Sequence, residues 1–277
     1  EMLRSLVGSE MCIRDRFWTW RSSPGQRRIW REGTWPILMP VVVSCLVIFP
    51  AHTSSAVLVA MASWVMMLIG RVRFSELMKL VGWGVAGIVV VMTLNLGRSE
   101  TAEGRVSTWI HLWTNSQTEK PIEHLSDTER SMIAIHNGGI FGEGAGQSAM
   151  RVEMIHPESD YAYAFFVEEY GLLLAVVLLM LYLWIFFRAI EIFRRCGTAF
   201  PGLLVLGLAL LITCQALLHV MVTVNLIPET GQTLPLISRG GSSTLFTTIA
   251  LGMILSVSRQ NDEQSHDTPR SESIYER

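Results

Sequence analysis

The sequence predicts an all-α polytopic membrane protein, and three observations carry that prediction. Half of the residues are hydrophobic and only 17% are charged; the mean hydropathy is +0.37; and the apolar residues are gathered in blocks rather than spread at helical period. Chains that cross bilayers have this profile. The net charge is −2 over 277 residues, so nothing points to nucleic acid as a partner. The four cysteines, Cys12, Cys45, Cys196 and Cys214, have no metal-ligand spacing, and Cys45 and Cys214 lie in apolar segments where a thiol is packing material.

Taken in order, residues 1–16 look like translated adapter or assembly sequence rather than native protein. They lack the charged, apolar and cleavage regions of a signal peptide and are set aside from the fold. The membrane domain then covers residues 17–259. Six segments in it are apolar and long enough to span: Trp35 to Phe49, Ser54 to Gly70, Leu80 to Leu96, Ala162 to Phe187, Gly202 to Val224 and Ser243 to Val257. Several are near the short end of the ~17–25 residues a span needs, so tilt or extension into polar flanks is expected. Arg21, Arg27, Arg28 and Arg31 precede the first span, Arg71, Arg73 and Lys79 follow the second, and Arg188, Arg194 and Arg195 follow the fourth. By the positive-inside rule both termini are cytoplasmic, and the long loop over 97–161 faces outside. The tail over 260–277 is polar and poor in apolar residues, so it is expected to be disordered in the cytoplasm.

The outer loop has its own local signals. Ser126, Asp127, Thr128 and Glu129 form a capping box, followed by Met132, Ile133 and Ile135 and stopped by Gly138 and Gly139. This predicts a short amphipathic helix able to rest on the outer face of the bilayer. Gly142, Gly144 and Gly146 have nearly the spacing of a dinucleotide fingerprint, but no strand precedes them and they face the exterior, so nucleotide binding is rejected. Flexible backbone beside a substrate path, or simple turn geometry, remains.

Asp160 sits where this loop meets the fourth span, with Tyr161, Tyr163, Phe165 and Phe166 after it at the membrane boundary. A carboxylate there is partly desolvated and is a stronger base than one in bulk water, which suits proton abstraction from a sugar hydroxyl. The alternative is that Ser159 or Asp160 caps the helix start. Glu168 and Glu169 fall two turns into the same span, where a carboxylate must face protein or water; either a substrate or cation contact or a structural pair fits. His156 and Glu158 are the residues that would hold a divalent cation, if the protein takes one. Before the last span, Arg239, Gly240, Gly241, Ser242 and Ser243 combine a guanidinium with a helix N-terminus, an arrangement suited to phosphate. Helix breaking by Pro228, Gly231 and Pro235 with a serine cap is the plainer reading.

The run 225–243 (NLIPETGQTLPLISRGGSS), the glycine-rich run 135–148 (IHNGGIFGEGAGQS) and the run 157–171 (PESDYAYAFFVEEYG) occur in that chain relationship. Together they resemble the SEDS family (shape, elongation, division and sporulation) of polytopic peptidoglycan polymerases, and the GQTLPLIS wording is most like the division branch. The resemblance covers 18–259 and implies the C-terminal part of a roughly ten-helix fold, so the chain is expected to be an N-terminally truncated fragment. The activity implied is a peptidoglycan glycosyltransferase that polymerises lipid II during septal wall synthesis in the bacterial cytoplasmic membrane. Asp160 matches the family's catalytic aspartate, eight residues before Glu168. The implied partners are lipid II, a class B penicillin-binding transpeptidase and other division-complex membrane proteins. Departures are Arg239 in place of an aromatic, His219 in place of Asn, and Ala51 in place of an Asp. A lipid II flippase and an inactive division scaffold are the competing readings, and Asp160 separates them, because a transporter needs no base at the exterior boundary.

Overall fold

The computed structural model describes residues 35–49, 52–70, 77–82, 84, 99–114, 125–148 and 157–267. The regular elements among them are all helical: α1 (Trp35–Ile48), α2 (Thr53–Ile69), α3 (Ser99–Thr114), α4 (Asp127–Gly138), the single turn α5 (Pro157–Asp160), α6 (Ala162–Arg195), α7 (Ala199–Thr223) and α8 (Gly241–Asp267). Three stretches are long and apolar enough to cross a membrane: Ala162–Arg195, Ala199–Thr223 and Gly241–Asn261. The apolar helices at Leu38–Ile48 and Thr53–Ile69 are shorter. This is a multi-pass membrane architecture. The expected span from Leu80 to Leu96 falls largely outside the described residues, as do residues 1–16.

The centre of the bundle is the pair α6 and α7, with α8 and α2 on α7 and α1 on α2. Ala175 and Ala189 on α6 and Ala209 and Ala216 on α7 are fully buried, so the backbones approach closely. Close backbone approach is how helices associate where lipid removes the hydrophobic drive between them. The outward face carries exposed Leu172, Leu173, Met180, Leu181 and Trp184, apolar surface suited to acyl chains.

The capping box forms as its residues require. The Ser126 hydroxyl accepts the Glu129 N–H at 3.4 Å and the Glu129 carboxylate accepts the Ser126 N–H at 2.8 Å. The helix it starts packs one face against the bundle, while Met132 stays exposed on the other. Ser131 and Ala134 are fully buried, Ala134 packs with Tyr161, Ala164 and Phe165, and the Ser131 hydroxyl donates to Thr223 O at 3.3 Å. One face of α4 therefore seals the outer ends of α6 and α7.

The fourth expected span is broken. Gly171 has φ 82° and ψ 165° inside α6, and the run 138–144 is docked against the break. Glu143 N–H donates to Glu168 O at 2.9 Å and Gly144 N–H to Glu169 O at 3.1 Å; in return Leu172 N–H donates to Gly139 O at 3.0 Å and Leu173 N–H to Ile140 O at 3.4 Å. Four backbone groups freed by the break are thus satisfied by the loop, as buried backbone groups must be. A Cβ on Gly171 would stand 2.4 Å from Ile140 O, one on Gly142 2.4 Å from Glu169 O, and one on Gly138 2.2 Å from Val167 O. Gly138, Gly142 and Gly171 serve close backbone contact here, so a fixed splice replaces the flexible-backbone reading at Gly142, whereas the Cβ positions of Gly144 and Gly146 have no such close contact. Of the tail expected to be disordered, residues 260–267 are helical, because α8 continues through Asp267 with an Arg259–Glu263 pair at 2.8 Å and a bond from Asn261 to the Cys196 sulfur, and residues 268–277 lie outside the described residues.

Candidate functional site

At the end of the bundle opposite Arg188, Arg195 and Arg259, the turn α5 and the run 225–240 meet over the starts of α6 and α8. One hydroxyl joins them. Ser238 Oγ accepts the Leu234 N–H at 2.7 Å and donates to Ser159 O at 2.8 Å. The residue after Ser159 is Asp160, and the residue after Ser238 is Arg239, so the two candidate residues flank a contact made by their chain neighbours. Asp160 is half-buried, and its Oδ1 accepts the Ser159 hydroxyl at 2.9 Å. It does not cap α6: the cap position is Tyr161, without a side-chain capping bond.

The run 225–240 is irregular yet held on all sides. Ser54 on α2 donates to Thr230 O at 2.5 Å, Gln232 donates to Ser55 Oγ at 2.8 Å, Gln215 on α7 donates to Thr233 O at 2.9 Å, and Tyr182 on α6 donates to Pro235 O at 2.5 Å. From above, α3 adds Arg105 to Glu229 O at 3.4 Å, and both Trp109 and Trp113 donate to Asn225 O at 3.1 and 3.3 Å. Each such bond is worth about 1 kcal/mol net, but their number fixes one conformation. Within it Leu236 is held at φ 67°, an uncommon angle for a non-glycine residue.

At the start of α8, Gly241 and Ser242 are exposed. Gly240 N–H is taken by Ser238 O at 2.9 Å, and the Ser243 hydroxyl is bonded to Thr233 Oγ1 at 2.9 Å. Arg239 is exposed beside them. Glu168 lies elsewhere: it is fully buried and accepts the hydroxyl of Ser148 from the glycine-rich loop. Glu169 is half-buried next to the splice. The structure therefore brings Asp160, Arg239 and the α8 start to one mouth and leaves Glu168 below it. His156 and the Glu158 side chain lie outside what is described; among the described residues no group of three His, Cys, Asp or Glu side chains is placed to hold a metal.

Residues 19–263 match the model of the FtsW, RodA and SpoVE family, described as cell cycle protein. The chain belongs to this family. It is 27% identical to "Probable peptidoglycan glycosyltransferase FtsW" of Coxiella burnetii over 82% of this chain and 60% of the relative. It is 33% identical to the protein of the same name from Marinobacter nauticus over 84% and 58%, and 31% identical to "Stage V sporulation protein E" of Bacillus subtilis over 56% and 41%. The chain thus spans 60% or less of each of these relatives. A solved chain from "Structural coordination of polymerization and crosslinking by a peptidoglycan synthase complex" superposes with a TM-score of 0.61 at 22% identity, covering 88% of this chain and 66% of that one, which is a likeness of fold.

Two residues of this FtsW/RodA/SpoVE member belong to the mouth without standing out in the sequence. Glu229 is half-buried near Tyr161, Asp160, Asp127 and Arg105. Burial pushes its carboxyl up from the usual glutamate range, Arg105 pulls it back, and the negative charges of Asp160 and Asp127 push it further. Tyr161, bonded to Thr128 at 3.0 Å, has its phenol pushed up, above all by burial. The second residue is His219 on α7, noted in the sequence only as a departure. It is fully buried and uses both ring nitrogens, Nδ1 with Gln232 O at 2.7 Å and Nε2 with Tyr163 N–H at 3.4 Å. Chemically, this end offers two half-exposed carboxylates without a capping duty, Asp160 and Glu229, beside a guanidinium and a helix N-terminus.

Proposed function

We propose that the protein is a peptidoglycan glycosyltransferase that polymerises lipid II at the outer face of the cytoplasmic membrane. Asp160 takes the proton of a GlcNAc 4-hydroxyl as that oxygen attacks the anomeric carbon of a second lipid-linked chain. The new glycosidic C–O bond forms while the C–O bond to undecaprenyl pyrophosphate breaks, and the pyrophosphate leaves with the electron pair. The observation that carries this reading is the placement of Asp160, half-exposed at the mouth and not committed to capping its helix. Arg239 with Gly240, Gly241, Ser242 and Ser243 forms the side of the mouth suited to the pyrophosphate, through bidentate contact and the positive end of the α8 dipole. The names of the relatives support the chemistry. A class B transpeptidase, other division proteins and a septal location fit the same reading.

A flippase is the second reading, favoured by the broken α6 with its buried Glu168, since discontinuous helices recur in transporters. The deciding experiment is polymerisation of labelled lipid II by the full-length protein with its transpeptidase, wild type against Asp160→Asn. Glycan from the wild type and a loss of at least about a hundredfold in the mutant is expected, within the range that general-base catalysis supplies. Equal product from both would remove Asp160 from the chemistry; no product from either would move the function to lipid transport or to scaffolding.

A further inference from the structure

A helix that starts at a catalytic carboxylate faces a conflict, because its first N–H groups need acceptors and that carboxylate is a ready one. At the start of α6, Ala164 and Phe165 N–H turn back to Tyr161 O at 2.9 and 3.4 Å, and Tyr161 offers no side-chain cap. Tyr163 N–H, three residues after Asp160, goes instead to His219 Nε2 on α7. A backbone N–H only donates and the Gln232 carbonyl only accepts, so the ring must be neutral, with its proton on Nδ1 and its lone pair on Nε2. Gln232 is itself tied to Ser55. A chain of contacts therefore runs from α2 through the run 225–240 and α7 to the residue pair that begins α6.

We propose that His219, in its neutral Nδ1–H form, is the positioning residue for Asp160: it caps α6 from the neighbouring helix and so keeps the Asp160 carboxylate turned to substrate. This rests on the reading of Asp160 as the base. Remove the imidazole, and Asp160 is the acceptor placed three residues before Tyr163, the spacing of an ordinary helix cap. It then spends its carboxylate on its own helix.

The test compares His219→Leu and His219→Gln with the unsubstituted full-length protein, using lipid II turnover, Tyr163 amide exchange and the 15N spectrum of labelled histidine. The imidazole should show the Nδ1–H tautomer. His219→Leu should lose about tenfold to a hundredfold in kcat with KM within about twofold, the pattern of a misplaced group rather than lost binding, while His219→Gln, whose Oε1 can accept the same N–H, stays within about threefold of wild type. Because Asp160 takes over as acceptor, Tyr163 exchange should stay slow in both His219→Leu and His219→Gln, and quickened exchange in His219→Leu would overturn the proposal. An Nε2–H tautomer, wild-type kcat in His219→Leu, or a His219→Gln protein as slow as His219→Leu would each overturn the proposal. If the unsubstituted protein makes no glycan, the functional reading falls separately, and the tautomer decides the cap.

Discussion

At the residue scale, the outer mouth is a balance of charge in which Glu229 has the least comfortable place. Its carboxyl is held above the usual glutamate range in the folded protein, so the folded state binds its proton more tightly than the unfolded chain does. Below the ordinary glutamate range both states are protonated and nothing is lost; as pH rises from that range through the raised folded value, ionisation weighs against folding. Glu229→Gln should therefore melt above the parent at about pH 8, by no more than ~1 kcal/mol once solvent screening of a half-exposed group is allowed for, and the gap should close near pH 4. Detergent-solubilised thermal unfolding across that range checks it, and a gap independent of pH would refute the assignment. Asp160 and Arg239 were readable because each sits in a run of turn-forming residues between apolar blocks. Glu229 and His219 were not, since their partners come from far along the chain: Arg105 binds the Glu229 carbonyl from 124 positions away. A lone polar residue does not announce such a partner.

At the element scale, the spans, the capping box and the start of α8 follow from local chemistry, and the sequence displays them. The break in α6 does not, because glycine within an apolar run is unremarkable in membrane helices. Its cause lies in the loop that docks there. Gly171→Ala should cost at least about 2 kcal/mol, combining a positive φ with a Cβ driven against the Ile140 carbonyl. Gly252→Ala in α8, where a Cβ meets nothing within 4 Å, should be neutral or gain up to ~1 kcal/mol from helix propensity. Paired melting curves test this, and similar losses at both sites would mean that the close approach at the splice has no energetic weight.

At the scale of the whole molecule, the arginines at the ends of α6 and α8 lie opposite the mouth, as the charge pattern of the loops requires. A cysteine at Phe141, which is 84% exposed, should react with a membrane-impermeant maleimide added to spheroplasts, whereas one at Arg195 should react only after the membrane is opened; labelling of both from outside would reverse the orientation. The all-α class was legible because the bilayer imposes length and apolarity on each span. The way α3, α4 and the run 225–240 close over the mouth was not, because it depends on backbone and polar contacts that leave no periodic trace. The splice at Gly171 also bears on how the chain is made. Synthesis proceeds from the N-terminus, so residues 138–144 emerge before the helix they complete. Export of the loop ahead of α6 would place its amides and carbonyls outside the membrane in time to receive the broken segment, and a chain with the reverse order would release an unsatisfied helix into lipid with its partner still unmade.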